Sequence, residues 1–306
     1  MIKLKNDIVV IIGGEAGQGI QTVGDLLATV CWKMGLYITV VNDFESRIRG
    51  GHSFVQLRIS DQPNSAPSDK VHILAALNSK TVELHKGDLS EGGLVLVDGE
   101  ESTAAGVTAI PFSKIAREVG GKIMTNTVVA GAIMGLLGTP FDIFEELLVK
   151  KFGKKSPEIL DNNITAAKRG FESIGENSFK NAFTWEKKTP VGLLLTGNKA
   201  VALGAVAGDC RFSAFYPMSP GTGIMNALVA LTDDFPLVVE QVEDEIAAVN
   251  MILGAAYSGV RSMTATSGGG FSLMVEGLGL AGITETPILI VNAQRPGPAT
   301  GLPTRT

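Results

Sequence analysis

Three acids stand together, Glu243, Asp244 and Glu245, where the apolar run PLVVEQV gives way to a pattern of helical period, EIAAVNMILGAAYSG. Acids in that place have an ordinary use, since carboxylates in the first turn of a helix offset the partial positive charge of its N-terminus. They also have a chemical use. If PLVVEQV is a strand of a parallel sheet, the junction lies on the edge where ligands bind, and a carboxylate held there can move a proton or polarise a bound molecule. Two neighbouring crossings carry related signals. AFYPMSPGTGIMNAL, residues 214–228, places two prolines, two glycines, a serine and a threonine between a strand-like and a helix-like run. That is more than a strand-to-helix connection requires, and it reads as a loop that holds a ligand. TATSGGGFSLM, residues 264–274, follows another strand with three glycines. They either let the backbone approach a ligand closely or simply make a compact turn.

Other motifs each admit two readings. GGEAGQG, residues 13–19, could aim backbone N–H groups at a phosphate. Glu15 within it would repel an anion, while Asp43 could act as the acid that a nicotinamide dinucleotide fold wants after its second strand. The alternative is a tight structural turn. ESRIRGGHSF, residues 45–54, holds Arg47, Arg49 and His52 around a glycine pair; the arginines could grip a phosphate or a partner's carboxylates, or the segment is a solvated hairpin turn. No metal-ligand spacing surrounds His52. In NAQRPGPATGLPTRT, Arg295 suits carboxylate recognition or is a solvated loop residue. Nucleophile-elbow, Walker and His-x-x-x-His patterns are absent.

Composition narrows the classes. Lys and Arg number 26 against 31 Asp and Glu, a net charge of −5, which argues against a nucleic-acid partner. Two cysteines, Cys31 and Cys210, are too few for a zinc site or an iron–sulfur cluster and give no disulfide framework; a cytoplasmic location is the default expectation. No apolar run approaches the roughly 18 residues of a membrane span.

The elements that must position these motifs alternate. With 45% apolar and 19% charged residues among 306, the chain has ample material for two cores. DIVVII, LYITVVND, SFVQLRIS, KVHILAALN and GGLVLVDG read as strands. The stretch after IVVII to about Gly35, then TNTVVAGAIMGLLG, FDIFEELLVKKFG and PEILDNNITAAKRGFESI, read as helices. Residues 1–175 are therefore an α/β domain. The polar stretch 176–190 reads as a linker. Residues 191–306 then alternate helix and strand strictly, which predicts a mostly parallel sheet with helices on its faces. The loops after Phe215, Val242, Thr266 and Asn292 become the site-formers. Ending on a Pro/Gly loop with no closing helix, this second domain reads as incomplete at its C-terminus.

At these residues the chain resembles the 2-oxoacid:ferredoxin oxidoreductases in the form where γ and α parts are fused. GGEAGQGI and ESRIRGGHSFVQLRIS are similar to the γ part. From GNKAVALGA onward the chain is similar to the pyrimidine-binding domain of the α part, most specifically in YPMSP, EDEIAAVNMILGAAYSGVRSMTATSGGGFSLM and QRPGPATGLPT.

The resemblance implies thiamine diphosphate-dependent and CoA-dependent oxidative decarboxylation of a 2-oxoacid, 2-oxoglutarate first, to an acyl-CoA and CO2, with electrons passed to ferredoxin. It implies that Glu245 is the carboxylate on the aminopyrimidine N1′, where it favours the imino tautomer whose 4′-nitrogen takes the C2 proton. It gives Tyr216, Pro217, Ser219, Pro220, Ser267 and Gly268 to the cofactor, and Ser219, Arg295 and Thr304 to the substrate. Ser219 stands for the family's threonine, so the hydroxyl is kept and the methyl lost. The γ-type loop residues Gly14, Gly17, Gly19, Arg47 and Arg49 would meet CoA or a partner. Mg2+ and the [4Fe–4S] cluster are expected on a separate β subunit, in a hetero-oligomer with a dimeric core, and the chain is expected to be inactive without that subunit. Two other expectations stand beside this one: a truncated, non-catalytic assembly module of such a complex, and a nicotinamide-dependent dehydrogenase resting on residues 13–19 alone.

Overall fold

A computed structural model of the chain describes residues 6–15, 18–43, 51–101, 106–175 and 183–294. It divides into two compact units, Met1–Leu194 and Leu195–Thr306.

The first unit runs β1 (Asp7–Glu15), α1 (Ile20–Lys33), β2 (Tyr37–Asp43), β3 (His52–Ser60), β4 (Val71–Ala76), α2 (Ser79–His85), β5 (Leu89–Asp98), β6 (Val107–Ile110), α3 (Phe112–Val119), α4 (Thr125–Leu136), α5 (Phe141–Phe152) and α6 (Pro157–Glu172). Its sheet has the order β2-β3-β1-β4-β5-β6. The strands β1, β4, β5 and β6 are mutually parallel, and β3 runs antiparallel to both of its neighbours. The unbroken apolar run of β1 fits a central strand buried on both faces. Ile8, Val10 and Ile12 face the core under α1 and α4, whereas Val9 and Ile11 face a smaller cluster that Val82 of α2 helps to cover. Ser156 caps α6 by accepting from Ile159 N, with Pro157 in the first turn.

Residues 183–188, read from sequence as linker, are held to this unit. Phe183 is buried and stacks on Trp185 at 5.7 Å. Trp185 Nε1 donates to the Leu137 carbonyl at 2.9 Å, and Lys188 N donates to the Met34 carbonyl at 2.9 Å.

The second unit runs α7 (Gly197–Ala207), β7 (Phe212–Phe215), α8 (Thr222–Val229), β8 (Val238–Gln241), α9 (Glu245–Tyr257), β9 (Ser262–Thr266), α10 (Gly268–Leu273), α11 (Val275–Ile283) and β10 (Leu289–Asn292). Its four strands are all parallel, in the order β10-β9-β7-β8. Helices cover both faces. Ala202, Ala205, Ile224 and Leu228 of α7 and α8 pack with Phe215 and Met263 on one, and Ala248, Val249, Leu253 and Ala281 of α9 and α11 pack on the other. Chain order reverses direction across the sheet at β7, so a topological switch point lies between β7 and β9.

Two titrating contacts make the first unit sensitive to acid. His72 Nδ1 accepts from Val9 N at 3.0 Å, and burial holds the ring below its ordinary pKa of 6.5. The hydrogen bond from Arg58 holds Asp7 below its ordinary 3.8. In both cases the unfolded chain binds protons first as the pH falls. The His72 contribution is therefore whole above 6.5 and lost below it, and that of Asp7 is lost only below 3.8. Both tryptophans, Trp32 and Trp185, lie in this unit, so their fluorescence reports it alone. The urea midpoint read this way should fall between about pH 7.5 and pH 5.5. In His72→Leu that fall should vanish, with an overall loss of about 1–3 kcal/mol because the buried Val9 N–H loses its acceptor.

Candidate active site in the second unit

The parallel strands of the second unit end together, with Phe215 opposite Gln241 and Asn292 opposite Thr266. Backbone bonds continue the alignment beyond the strand ends, from Val242 N to the Phe215 carbonyl at 2.9 Å and from Ala293 N to the Thr266 carbonyl at 2.8 Å. The loop after β7 carries Tyr216, 38% exposed, then Pro217, Met218, Ser219 and Pro220. Ser219 is exposed, the two prolines are half-buried, and the Ser219–Pro220 peptide is cis. Thr222 N donates to the Met218 carbonyl at 3.1 Å as α8 begins.

The three acids of the next crossing separate in role. Glu243 and Asp244 are exposed, and Asp244 caps α9 by accepting from Ala247 N at 2.6 Å. Glu245, the first residue of α9, is 3% exposed, and its Oε1 is buried without a hydrogen-bond partner among the described residues. The carboxylate lies against α10. A Cβ added at Gly270 would fall 2.7 Å from Glu245 Oε1 and would also collide with Thr266 Oγ1, so only glycine permits this approach. Thr266 Oγ1 in turn faces Met218 Sδ at 4.0 Å, which ties the loop after β7 to the end of β9. Ser267 is fully buried, its Oγ also lacks a partner among the described residues, and it leaves α10 without a side-chain cap. Gly268 follows, half-buried, at the first position of α10.

An acceptor-only oxygen kept from water calls for a donor, and leaving it unmet costs about 1–3 kcal/mol. The positive end of α9 supports the negative charge. A carboxylate oxygen held out of water against Gly270, near the ends of the parallel strands, suits the edge of a nitrogen heterocycle that offers one donor. Thr266 and Gly270 were not singled out in the sequence as site residues; the only signal was the glycine run itself.

Arg295 and Thr304 lie outside the described residues, as do Gly17, Arg47 and Arg49. Gly14 and Gly19 belong to the first unit, at the end of β1 and at the N-cap of α1. There His52 Nε2 lies 2.8 Å from His85 Nε2, and His85 Nδ1 lies 3.0 Å from Asp88 Oδ2. Among the described residues no group of three or more His, Cys, Asp or Glu side chains could hold a metal, and no helix is long and apolar enough to cross a membrane.

A family model described as pyruvate ferredoxin/flavodoxin oxidoreductase matches residues 9–173. The chain belongs to that family. A second model of the pyruvate flavodoxin/ferredoxin oxidoreductases, for their thiamine diphosphate-binding domain, matches residues 203–306 and so takes in the site just described.

The 2-oxoacid:ferredoxin oxidoreductase subunit alpha of a Sulfolobus species is 31% identical over 97% of this chain and 55% of its own length. The 2-oxoglutarate oxidoreductase subunit KorA of Mycobacterium tuberculosis is 31% identical over 99% of this chain and 53% of its own. A solved 2-oxoglutarate:ferredoxin oxidoreductase of Magnetococcus marinus is similar with a TM-score of 0.90 and 34% identity, over 98% of this chain and 54% of that one. The chain thus spans just over half the length of these family members.

The contact between α10 and the carboxylate gives a direct test. Gly270→Ala should destabilise the second unit by about 1–3 kcal/mol through overpacking, seen in scanning calorimetry as a lower transition for that unit while the tryptophan-reported transition of the first unit stays put.

Proposed function

We propose that the second unit holds the aminopyrimidine of thiamine diphosphate, with Glu245 accepting from the ring edge, as part of a 2-oxoacid:ferredoxin oxidoreductase. The observation that carries this reading is the buried, unpartnered Oε1 of Glu245, within the stretch matched by the thiamine diphosphate-binding model. When bound, the cofactor supplies the carbon nucleophile and electron sink for decarboxylation. The chain's own part is positional and protonic. Glu245 holds the ring edge through a hydrogen bond and keeps negative charge beside it. Gly270 and Thr266 close water away from that carboxylate. Ser219 and Ser267 offer hydroxyls toward cofactor or substrate, with Tyr216, Pro217, Pro220 and Gly268 shaping the walls, and Arg295 and Thr304 are assigned to the substrate's carboxylates.

The substrate proposed first is 2-oxoglutarate. A 2-oxoglutarate synthase subunit KorA of Methanothermobacter thermautotrophicus is 52% identical over 36% of the chain. The Magnetococcus marinus enzyme was solved with 2-oxoglutarate, coenzyme A and succinyl-CoA bound. CoA and ferredoxin are then co-reactants, and a β subunit supplies the diphosphate grip, Mg2+ and [4Fe–4S] cluster. Cys31 and Cys210, the chain's two cysteines, are both buried, and burial pushes Cys31 up to about 12. Such thiols are poor cluster ligands, because the ligand is the thiolate.

The test is reconstitution with a cognate β subunit, thiamine diphosphate, Mg2+ and CoA. Wild-type chain should support 2-oxoglutarate-dependent reduction of a viologen dye, and Glu245→Ala should lower the rate by about 10^2 to 10^4 while co-purifying with the β subunit as before. Full activity in Glu245→Ala overturns the assignment.

A further inference from the structure

The chain has nine methionines. Met34, Met124, Met134, Met263 and Met274 are buried, and Met1 lies outside the described residues. Met251, 39% exposed, stands on the outer side of α9, and Met225 packs against the apolar cluster of Phe215 and Leu228. Met218 is used differently. It is half-buried in the loop after β7, beside the exposed Ser219, and among the described residues it joins none of the apolar clusters. Its sulfur instead accepts from the Thr266 hydroxyl, with Oγ1 and Sδ 4.0 Å apart.

A thioether is a weak acceptor, and this contact is loose. The gap exceeds an O–H···O hydrogen bond of about 2.7 Å by roughly one S–O bond length. The surroundings are tight. Thr266 is fully buried, and a Cβ added at Gly221, in the same loop as Met218, would stand 3.3 Å from both the nitrogen and the oxygen of the Thr266 backbone. The Thr266 hydroxyl and Glu245 Oε1 also crowd one point beside Gly270, where an added Cβ would meet both. One oxygen atom added to the Met218 sulfur would fill the gap and turn a weak acceptor into a strong, polar one. It would fix the Thr266 hydroxyl on the loop and away from the carboxylate.

We propose that Met218 is a site of reversible oxidation to the sulfoxide by a hydroperoxide, and that the product, held by Thr266, impairs the site around Glu245. The sulfur attacks the terminal oxygen of the hydroperoxide. The S–O bond forms as the O–O bond breaks, and sulfur gives up the two electrons that the leaving oxygen gains. The proton of the attacked oxygen reaches the leaving oxygen through the Thr266 hydroxyl, so thioether and hydroperoxide become sulfoxide and alcohol, or water where the oxidant is hydrogen peroxide. The modification stands on Met218 and Thr266 alone; its effect on turnover rests on the proposed role of Glu245.

The test treats the full chain alone with hydrogen peroxide, removes the oxidant and maps the methionines by peptide mass spectrometry. Met218 should gain one oxygen at least about threefold faster than Met225, while the buried Met263 stays reduced and reports that the unit is folded. Thr266→Val should slow oxidation of Met218 by about threefold or more and leave Met251 unchanged, and Thr266→Ser, which keeps the hydroxyl, should restore the rate. If Met263 oxidises in Thr266→Val, the rates of Met218 and Met225 in the wild type and in Thr266→Ser decide. Reconstituted with an untreated β subunit, the oxidised chain should turn over about tenfold more slowly and recover after methionine sulfoxide reductase treatment. Peroxide-treated Met218→Leu should keep its own untreated rate. Oxidation of Met218 no faster than Met225, an unchanged Met218 rate in folded Thr266→Val, or full turnover by chain oxidised at Met218 overturns the proposal. An untreated chain that gives no turnover with the β subunit counts against the role of Glu245, and the mapping then decides the modification by itself.

Discussion

Glu245 begins α9 with its side chain out of water and one carboxylate oxygen unpaired. Fully removing a charge from water without compensation is among the most unfavourable things a fold can do, so the surroundings must be read as what makes the position tenable. The dipole of a 13-residue helix contributes. Asp244 takes over the capping duty, accepting from Ala247 N and leaving Glu245 free of it. Among the described residues no hydrogen-bond donor reaches the buried oxygen. A carboxylate whose chemistry were finished within the fold would have turned its oxygens to the nearby backbone donors, as Asp244 does. The unspent Ser267 hydroxyl, fully buried on the neighbouring loop, repeats the pattern.

That constraint orders the rest of the unit. The order β10-β9-β7-β8 sets a crevice between the ends of β7 and β9, and the crossing after β7 is rich in glycine, proline and hydroxyls while that after β9 is rich in glycine and serine. Met218, Thr266, Gly270 and Glu245 then form one connected set drawn from three crossings. Because α10 starts almost directly after β9, its third residue is forced against the carboxylate, and any side chain at Gly270 would displace the group that the site is built around.

The helix–strand alternation of the second unit and the strand β1 were legible because their runs are long and their periods clean. Three elements of the first unit escaped. In α2, SKTVELH is barely two turns, in β6 VTAI is four residues, and in α3 eight residues carry too few repeats to stand out. The end of the first unit was obscured by polarity. Phe183 and Trp185 sit in a stretch otherwise rich in charge, and those two aromatic residues were the sign that it packs rather than swings. Among the acids, helical phase could have separated Glu245 from its neighbours. Residues 245, 248, 249, 252 and 253 share the buried face of α9, while 243 and 244 precede the helix. Nothing local could have picked Gly270 from three consecutive glycines, since its necessity comes from a carboxylate 25 positions away.

Electron traffic follows from the same accounting of side chains. One-electron chemistry at low potential needs metal clusters or flavins, and clusters need several thiolates. Cys31 is wholly enclosed in the core of the first unit, and burial raises Cys210 as well. Neither thiol is poised to ionise, and their units are different. Under the proposed reaction, a 2-oxoacid loses its carboxylate beside a site whose own residues handle protons and hydrogen bonds but not electrons. Neither of the two units described offers a thiolate for the electrons to pass through.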